Sequence, residues 1–312
     1  MGHRGPLKEE YEEYAARVGR VYDHKTDRAT GQTFTSSKLD PSLDPNNFEY
    51  RECCACDEHP NPIPVFLCLD TTGSMGDSCK ETAETLGAIT LNLYKKFENK
   101  NVDIEFCIMG IGDLAYWEKA PIQMSQIESD VRIIESIDKL WLEKRGGTNP
   151  YESYTAAWYM CAYHTKLDTH KQGRKGIIIT MGDEPLNPYL PLSHLRSYVK
   201  KLPCQLSEED LETKNLYKKA SEGFDIFHIA VDDDRNCYSR YRAEIKESFG
   251  EFLGDRLKVS SINGLQSTIE SCIEESVLAY DNLDKINQPA TETPTNQSTG
   301  GVKINEYGEI TW

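Results

Sequence analysis

At 312 residues the chain is longer than a minimal domain and too short for two large ones. A hydrophobic share of 38% with 10% aromatics can build a sizeable core, and no window approaches the roughly 18 consecutive apolar residues of a membrane span. With 51 acidic residues against 35 basic ones, a formal charge of −16 repels nucleic acid and anionic lipid and attracts cations and basic partners.

The opening stretch, MGHRGPLKEE, carries no apolar signal region, and Pro6 stands where a myristoylation signal wants Ser or Thr. The ten cysteines are scattered; Cys68 and Cys107 lie inside apolar runs, where a thiol acts as a small hydrophobe. The expectation is a soluble, cytoplasmic chain with reduced thiols, binding neither nucleic acid nor membrane.

Residues 1–62 read as an N-terminal arm crossing the surface of the main domain. Leu7, Tyr11, Tyr14, Val18 and Val21 alternate at four- and three-residue spacing, which predicts one amphipathic helix. A polar stretch rich in Pro, Asp and Asn follows. Within it, CCACDEH sets Cys53 and Cys56 at CxxC spacing with His59 three residues on, a weak zinc or redox candidate because no second CxxC pair completes a four-ligand set.

From Ile63 the pattern alternates. Strand-like runs are IPVFLCL (63–69), VDIEFCIMGI (102–111), KGIIIT (175–180) and FDIFHIAV (224–231). Between and after them lie three helical stripes: Leu86, Ile89, Leu93 and Phe97; Ile127, Val131, Ile134, Ile137 and Trp141; and Leu265, Ile269, Ile273, Val277 and Tyr280. Ser125 with Glu128 fits a capping box at the start of the second. Near-continuous apolar strands between amphipathic helices predict a doubly wound α/β domain over 63–284, its mostly parallel sheet covered by helices on both faces. Residues 285–312 turn to Asn, Gln, Thr, Pro and Gly, a flexible tail by composition. It ends in VKINEYGEITW, either a frayed terminus or a short docking strand acting in cis or in trans.

Ligands of open α/β sheets sit outside the carboxyl ends of the strands. Three segments should meet there: Asp70-Thr71-Thr72-Gly73-Ser74 leaving the first strand, RGGTNPYES (145–153), and TMGDEP (180–185) with Asp183. In the second, Asn149 and Pro150 suit the cap and first turn of a helix. Two carboxylates (Asp70, Asp183) and three hydroxyls (Thr72, Ser74, Thr148) make a hard, oxygen-only set, suited to Mg²⁺, Mn²⁺ or Ca²⁺ rather than zinc. A coordination position left open would accept an incoming carboxylate. Asp113, after the second strand, and Asp232 and Asp233, after the last, are candidates for the rim.

Asp70-x-Thr72-x-Ser74, then Thr148, then Asp183 resembles the metal-ion-dependent adhesion site of von Willebrand factor A domains, over roughly residues 63–281. DTTGSMG varies that family's Asp-x-Ser-Gly-Ser-Met theme, and GGTN resembles the segment carrying its threonine ligand. The departure is at the third element: many members read Thr-Asp-Gly, which would put Asp at Met181, whereas this chain has Gly182-Asp183, an order found in some bacterial members. The resemblance implies a Rossmann-like domain with one antiparallel edge strand near APIQMS (120–125). It also implies a divalent cation that engages an acidic residue of a protein partner, with no catalysis. Stand-alone intracellular members in bacteria and phage work beside AAA+ ATPases or within defence and stress systems.

A rival resemblance is to haloacid-dehalogenase-like phosphotransferases, in which a strand ends in Asp-x-Asp-x-Thr. Asp70 would be the nucleophile and GDEP would supply the magnesium-binding acid, but Thr72 stands where the proton-transferring carboxylate belongs. There is no GxxxxGK[ST] and no HExxH.

Overall fold

The computed structural model describes residues 8–25, 28–30, 34, 36–97, 102–116, 118–143, 151–203, 211–287, 303–304 and 310–311. At its centre are β1 (Pro62–Asp70), β2 (Asp103–Ile111), β3 (Ile122–Met124), β4 (Gly176–Gly182), β5 (Phe224–Val231) and β6 (Leu257–Ser260), in the spatial order β6-β5-β4-β1-β2-β3. Every neighbouring pair is parallel except β2–β3, so β3 is the antiparallel edge that the resemblance places near residues 120–125. The helices of seven residues or more among the described residues are α1 (Lys8–Arg17), α2 (Ser78–Phe97), α3 (Arg132–Asp138), α4 (Thr155–Tyr163), α5 (Leu192–Tyr198), α6 (Thr213–Gly223), α7 (Tyr238–Leu253) and α8 (Leu265–Asn287). The fold class is α/β: a doubly wound, mostly parallel sheet between two helical layers.

Alternation along β1 shows how the layers are made. Ile63, Val65, Leu67 and Leu69 enter a core shared with Tyr11 and Tyr14 of α1, Leu86 and Ile89 of α2, Ile134 of α3 and Ile269 of α8. Phe66 and Cys68 point the other way, toward Trp158 of α4, Leu216 of α6 and Phe249 of α7. Both faces of a parallel strand are covered, so the run reads as continuously apolar. After β3 the chain crosses back to place β4 on the other side of β1. The carboxyl ends of β1 and β4 therefore form the switch point of the sheet, with Leu69 opposite Met181.

Several local expectations are corrected. The Ser125/Glu128 capping box does not form: Ser125 Oγ accepts the Ile108 N–H at 3.0 Å, and Glu128 exchanges backbone hydrogen bonds with Phe106 at 2.8 and 2.9 Å. Satisfying the open edge of β2 takes precedence, and the helix begins only at Arg132. α1 stops at Arg17 in a Schellman turn, with Gly19 at φ +74°, Arg20 N bonding Ala15 O at 2.8 Å and Gly19 N bonding Ala16 O at 3.1 Å. Val18 and Val21 are consequently exposed rather than continuing the stripe. Leu7 lies outside the described residues. The segment before β1 also does more than cross a surface, since Leu43 joins the core and Arg51–Cys53 pairs in parallel with Thr165–Leu167. The chain divides into two units, Met1–Val277 and Leu278–Trp312; in the second, Lys303–Ile304 pairs antiparallel with Ile310–Thr311. Among the described residues no helix is long and apolar enough to cross a membrane.

Candidate functional site

β1 delivers Asp70, fully buried, to the switch point. Its Oδ1 accepts the Thr72 N–H at 2.8 Å and the Thr72 hydroxyl at 2.6 Å, which turns the chain off the sheet. Thr72 Oγ1 lies 2.9 Å from Ser74 Oγ, and the Ser74 hydroxyl donates to Asp183 Oδ1 at 3.0 Å. Asp183 Oδ2 accepts the Cys237 N–H at 2.7 Å, from the start of α7. Asp70 Oδ2 accepts the Tyr154 hydroxyl at 2.9 Å, from the residue before α4. Four of the five sequence-predicted ligands thus lie in one arc of polar contacts, in which each hydroxyl gives its proton to a carboxylate and the two hydroxyl oxygens face each other; Thr148, with Asn149 and Pro150, lies outside the described residues.

Two glycines allow the close approach. Gly76, at φ +55°, has no room for a Cβ, which would sit 2.7 Å from the Arg235 carbonyl oxygen, so the turn after Ser74 packs directly on the loop before α7. A Cβ on Gly182 would lie 1.9 Å from the Tyr154 hydroxyl oxygen and 2.9 Å from Asp70 Oδ2. The Gly-Asp order also has a geometric reason. Met181 faces the apolar core beneath α2, so a carboxylate there would point away from Asp70, whereas Asp183, one step past the strand, reaches Ser74.

Further acids crowd the same edge. Asp113, Glu118, Glu152 and Glu184 are all buried, and Glu118 Oε1 and Glu152 Oε2 make no hydrogen bond to a described residue. Burial, then the Asp70 charge, pushes Glu118 up to about 8. Burial, then Asp183, pushes Glu184 up to about 7. Both Asp70 and Glu152 rise well above the carboxylate range, Asp70 through burial and then the Asp183 charge, Glu152 through burial and then the Asp70 charge. Asp183 rises by burial although the Cys237 N–H and Ser74 hydroxyl favour its charged form. Concentrated buried negative charge is costly unless a cation answers it. Among the described residues no three His, Cys, Asp or Glu side chains converge as a metal-binding group. A cation at the arc would therefore need the hydroxyls of Thr72 and Ser74 beside the carboxylates, a hard set suited to Mg²⁺, Mn²⁺ or Ca²⁺.

The rim candidates separate. Asp113 joins the buried acids and bonds the Ala115 N–H at 2.8 Å. Asp233 does not reach the arc: it chelates Arg235 through both oxygens at 2.7 Å, and Arg235 also bonds Glu81 at 2.8 Å. Asp232 is exposed, with its N–H on Ser260 O at 2.9 Å. What this loop contributes is the Cys237 backbone N–H. The zinc alternative is not assembled either. Cys53 is buried with its thiol 3.2 Å from Glu105 Oε2, while Cys56 is exposed, its sulfur accepting the His59 N–H at 3.4 Å and its own N–H bonding His59 O at 3.1 Å. Sequence reading missed Tyr154, Glu118, Glu152, Gly182 and the Cys237 N–H. Glu184, adjacent to Asp183 in GDEP, was within reach of it.

No family profile matches the chain, and no curated protein matches it. Among solved structures, a pilus adhesin, SpaC from Lactobacillus rhamnosus GG in an open conformation, aligns at 12% identity and TM-score 0.43, covering 75% of this chain and 31% of that one. Proximal thread matrix protein 1 of the mussel byssus aligns at 12% identity and TM-score 0.43, covering 70% of this chain and 48% of that one. The vWF domain of the type V pili tip protein Mfa5 from Porphyromonas gingivalis aligns at 10% identity and TM-score 0.42, covering 72% of this chain and 96% of that domain. The chain thus spans about a third and about half of the first two proteins.

Proposed function

We propose that the chain is a divalent-cation-dependent protein-binding module of the von Willebrand A type, a binder rather than an enzyme. The observation that carries this reading is the continuous arc Asp70–Thr72–Ser74–Asp183 at the sheet's switch point, with links of 2.6 to 3.0 Å. Ser74 and Thr72 would hold Mg²⁺, Mn²⁺ or Ca²⁺, joined by Thr148, with Asp70 and Asp183 supplying charge directly or through water. The bound ion supplies a positive coordination position for a partner's acidic side chain, which an acidic chain would otherwise repel. Tyr154 and the Cys237 N–H hold the two carboxylates in place. The partner would be a cytoplasmic protein presenting Asp or Glu, an AAA+ ATPase being one such class. Phosphoryl transfer from Asp70 is less well supported, because the side chain is fully buried with both oxygens already engaged.

Calorimetric titration of the EDTA-treated chain with MgCl₂, MnCl₂ and CaCl₂ tests this. One-site binding is expected, abolished by Asp70→Ala and weakened at least about tenfold by Ser74→Ala. Identical isotherms for both variants and the wild type would remove the arc from cation binding.

A further inference from the structure

Beside the oxygen arc, immediately after Asp183-Glu184, the chain forms the floor of a second feature: an open groove of about 650 Å³ bounded by the 185–189 segment, residues 212–214 and α7. Leu186 and Phe252 line its apolar part, and the exposed Tyr189 and Tyr151 stand at its rim. One wall is α7, where Glu244, Glu247 and Glu251 follow at three- and four-residue spacing and so share a helix face. All three are exposed and form no ion pair with any described residue. Among the described residues that line the groove, Lys214 is the only basic one.

The groove is built rather than incidental. Leu186 N bonds Ser248 Oγ on α7 at 3.1 Å, and Glu152 N bonds Pro185 O at 3.2 Å. The Asn187 amide spans from Thr155 to the Tyr189 carbonyl, at 2.7 Å to the latter, and the Thr213 hydroxyl closes on Asn187 O at 2.6 Å. Tyr189–Leu190 pairs antiparallel with Leu211–Glu212. A cleft fixed from three sides costs little ordering when it is filled.

From this charge complementarity we infer that the groove docks a lysine- or arginine-bearing segment of a partner protein. The aliphatic stem of the basic side chain lies over Leu186 and Phe252, its cation meets the α7 carboxylates, and the rim tyrosines offer ring faces to it. The inference is independent of the cation site: it requires basic chemistry at the groove, whereas the arc with its ion requires acidic chemistry.

The test uses the full chain in EDTA at about 50 mM salt, where exposed charge pairs are little screened. Two fluorescein-labelled peptides are titrated by fluorescence polarisation, Gly-Pro-Lys-Leu-Arg-Pro-Gly and its twin with Glu in place of Lys and Arg. The basic peptide is expected to bind below about 1 mM and the acidic twin not to bind. The double charge reversal Glu247→Lys/Glu251→Lys should weaken the basic peptide at least about tenfold, and Tyr189→Ala about fivefold. Because the titration is run in EDTA, with no ion at the arc, the groove and the cation site fail separately. The inference is overturned by no saturation, by equal affinity for both peptides, or by unchanged affinity in the charge-reversed chain. Self-association of the wild type that the same reversal abolishes would assign the groove to a second copy and overturn it too.

Discussion

Gly182 has no space for a side chain, because its Cβ position is already taken by the Tyr154 hydroxyl at 1.9 Å and approached by Asp70 Oδ2 at 2.9 Å. Gly182→Ala must therefore push Tyr154 off Asp70 or shift β4 against β1. A loss of about 1–3 kcal/mol or more is expected in urea unfolding. Tyr154→Phe alone leaves a buried carboxylate oxygen short of a donor and should cost about 1–3 kcal/mol. Since both changes act on one contact, the double variant should lose less than the sum; strict additivity would mean that Gly182 and Tyr154 do not meet as described. Asp70, Thr72, Ser74 and Asp183 were legible in sequence because strand ends in an α/β fold have a fixed address and the hydroxyls follow at short spacing. Tyr154 was not, since it arrives from another element 84 residues away. The Cys237 contribution is a backbone N–H, which any residue but proline can provide.

The four long parallel strands, β1, β2, β4 and β5, are unambiguous at the element scale, because burial on both faces leaves an uninterrupted apolar run. β6 is only Leu257–Ser260, with one neighbour and a half-exposed pattern, so it carries no such signal. α1 shows what a stripe cannot foresee: Gly19 ends the helix, and a tertiary contact decides which side docks. The Tyr14 hydroxyl bonds Asp138 Oδ2 at 2.5 Å, and Arg20 pairs with the same oxygen at 2.6 Å, with side chains only 7% and 12% exposed for Arg20 and Asp138. Removing one partner of a buried pair strands the other charge, at a cost of about 3–5 kcal/mol. Asp138→Ala is expected to destabilise by that order and to speed amide exchange through α1 ahead of the central sheet. A change below about 0.5 kcal/mol would mean that the apolar contacts of Tyr11 and Tyr14 alone hold the helix.

Over the whole molecule, two opposite kinds of buried group act on how stability varies with pH: one histidine and a set of acids. His228 is fully buried, stacked 3.7 Å over the Phe249 ring, and burial drops it from 6.5 to about 3. Its contribution is present above 6.5 and lost as pH falls toward 3, when the unfolded chain takes a proton the fold refuses. The acids act in the reverse sense. Glu118 rises from 4.5 to about 8 and Glu184 from 4.5 to about 7, so their contribution is complete below 4.5 and lost as pH rises through 7 and 8. Between pH 6.5 and 8 the balance moves: at 6.5 the unfolded-state imidazole is still half protonated, so His228 opposes the acids, and toward 8, where it is neutral in both states, the acids dominate. In that window the EDTA-treated chain should lose stability with rising pH. Each fully retained proton contributes at most about 1.4 kcal/mol per pH unit, so the midpoint should fall by several degrees. A divalent cation at the arc answers the same charge, so saturating Mg²⁺ should raise the midpoint and flatten its slope, by about 2.7 kcal/mol at a hundredfold excess over Kd. Glu118→Gln should flatten the slope without the ion, because the amide never ionises. Thermal scans at pH 6.5, 7.2 and 8.0, with and without MgCl₂, separate the cases: a flat profile in EDTA would mean that positive charge within the protein already compensates the acids, and the case for a resident cation would lose its electrostatic basis.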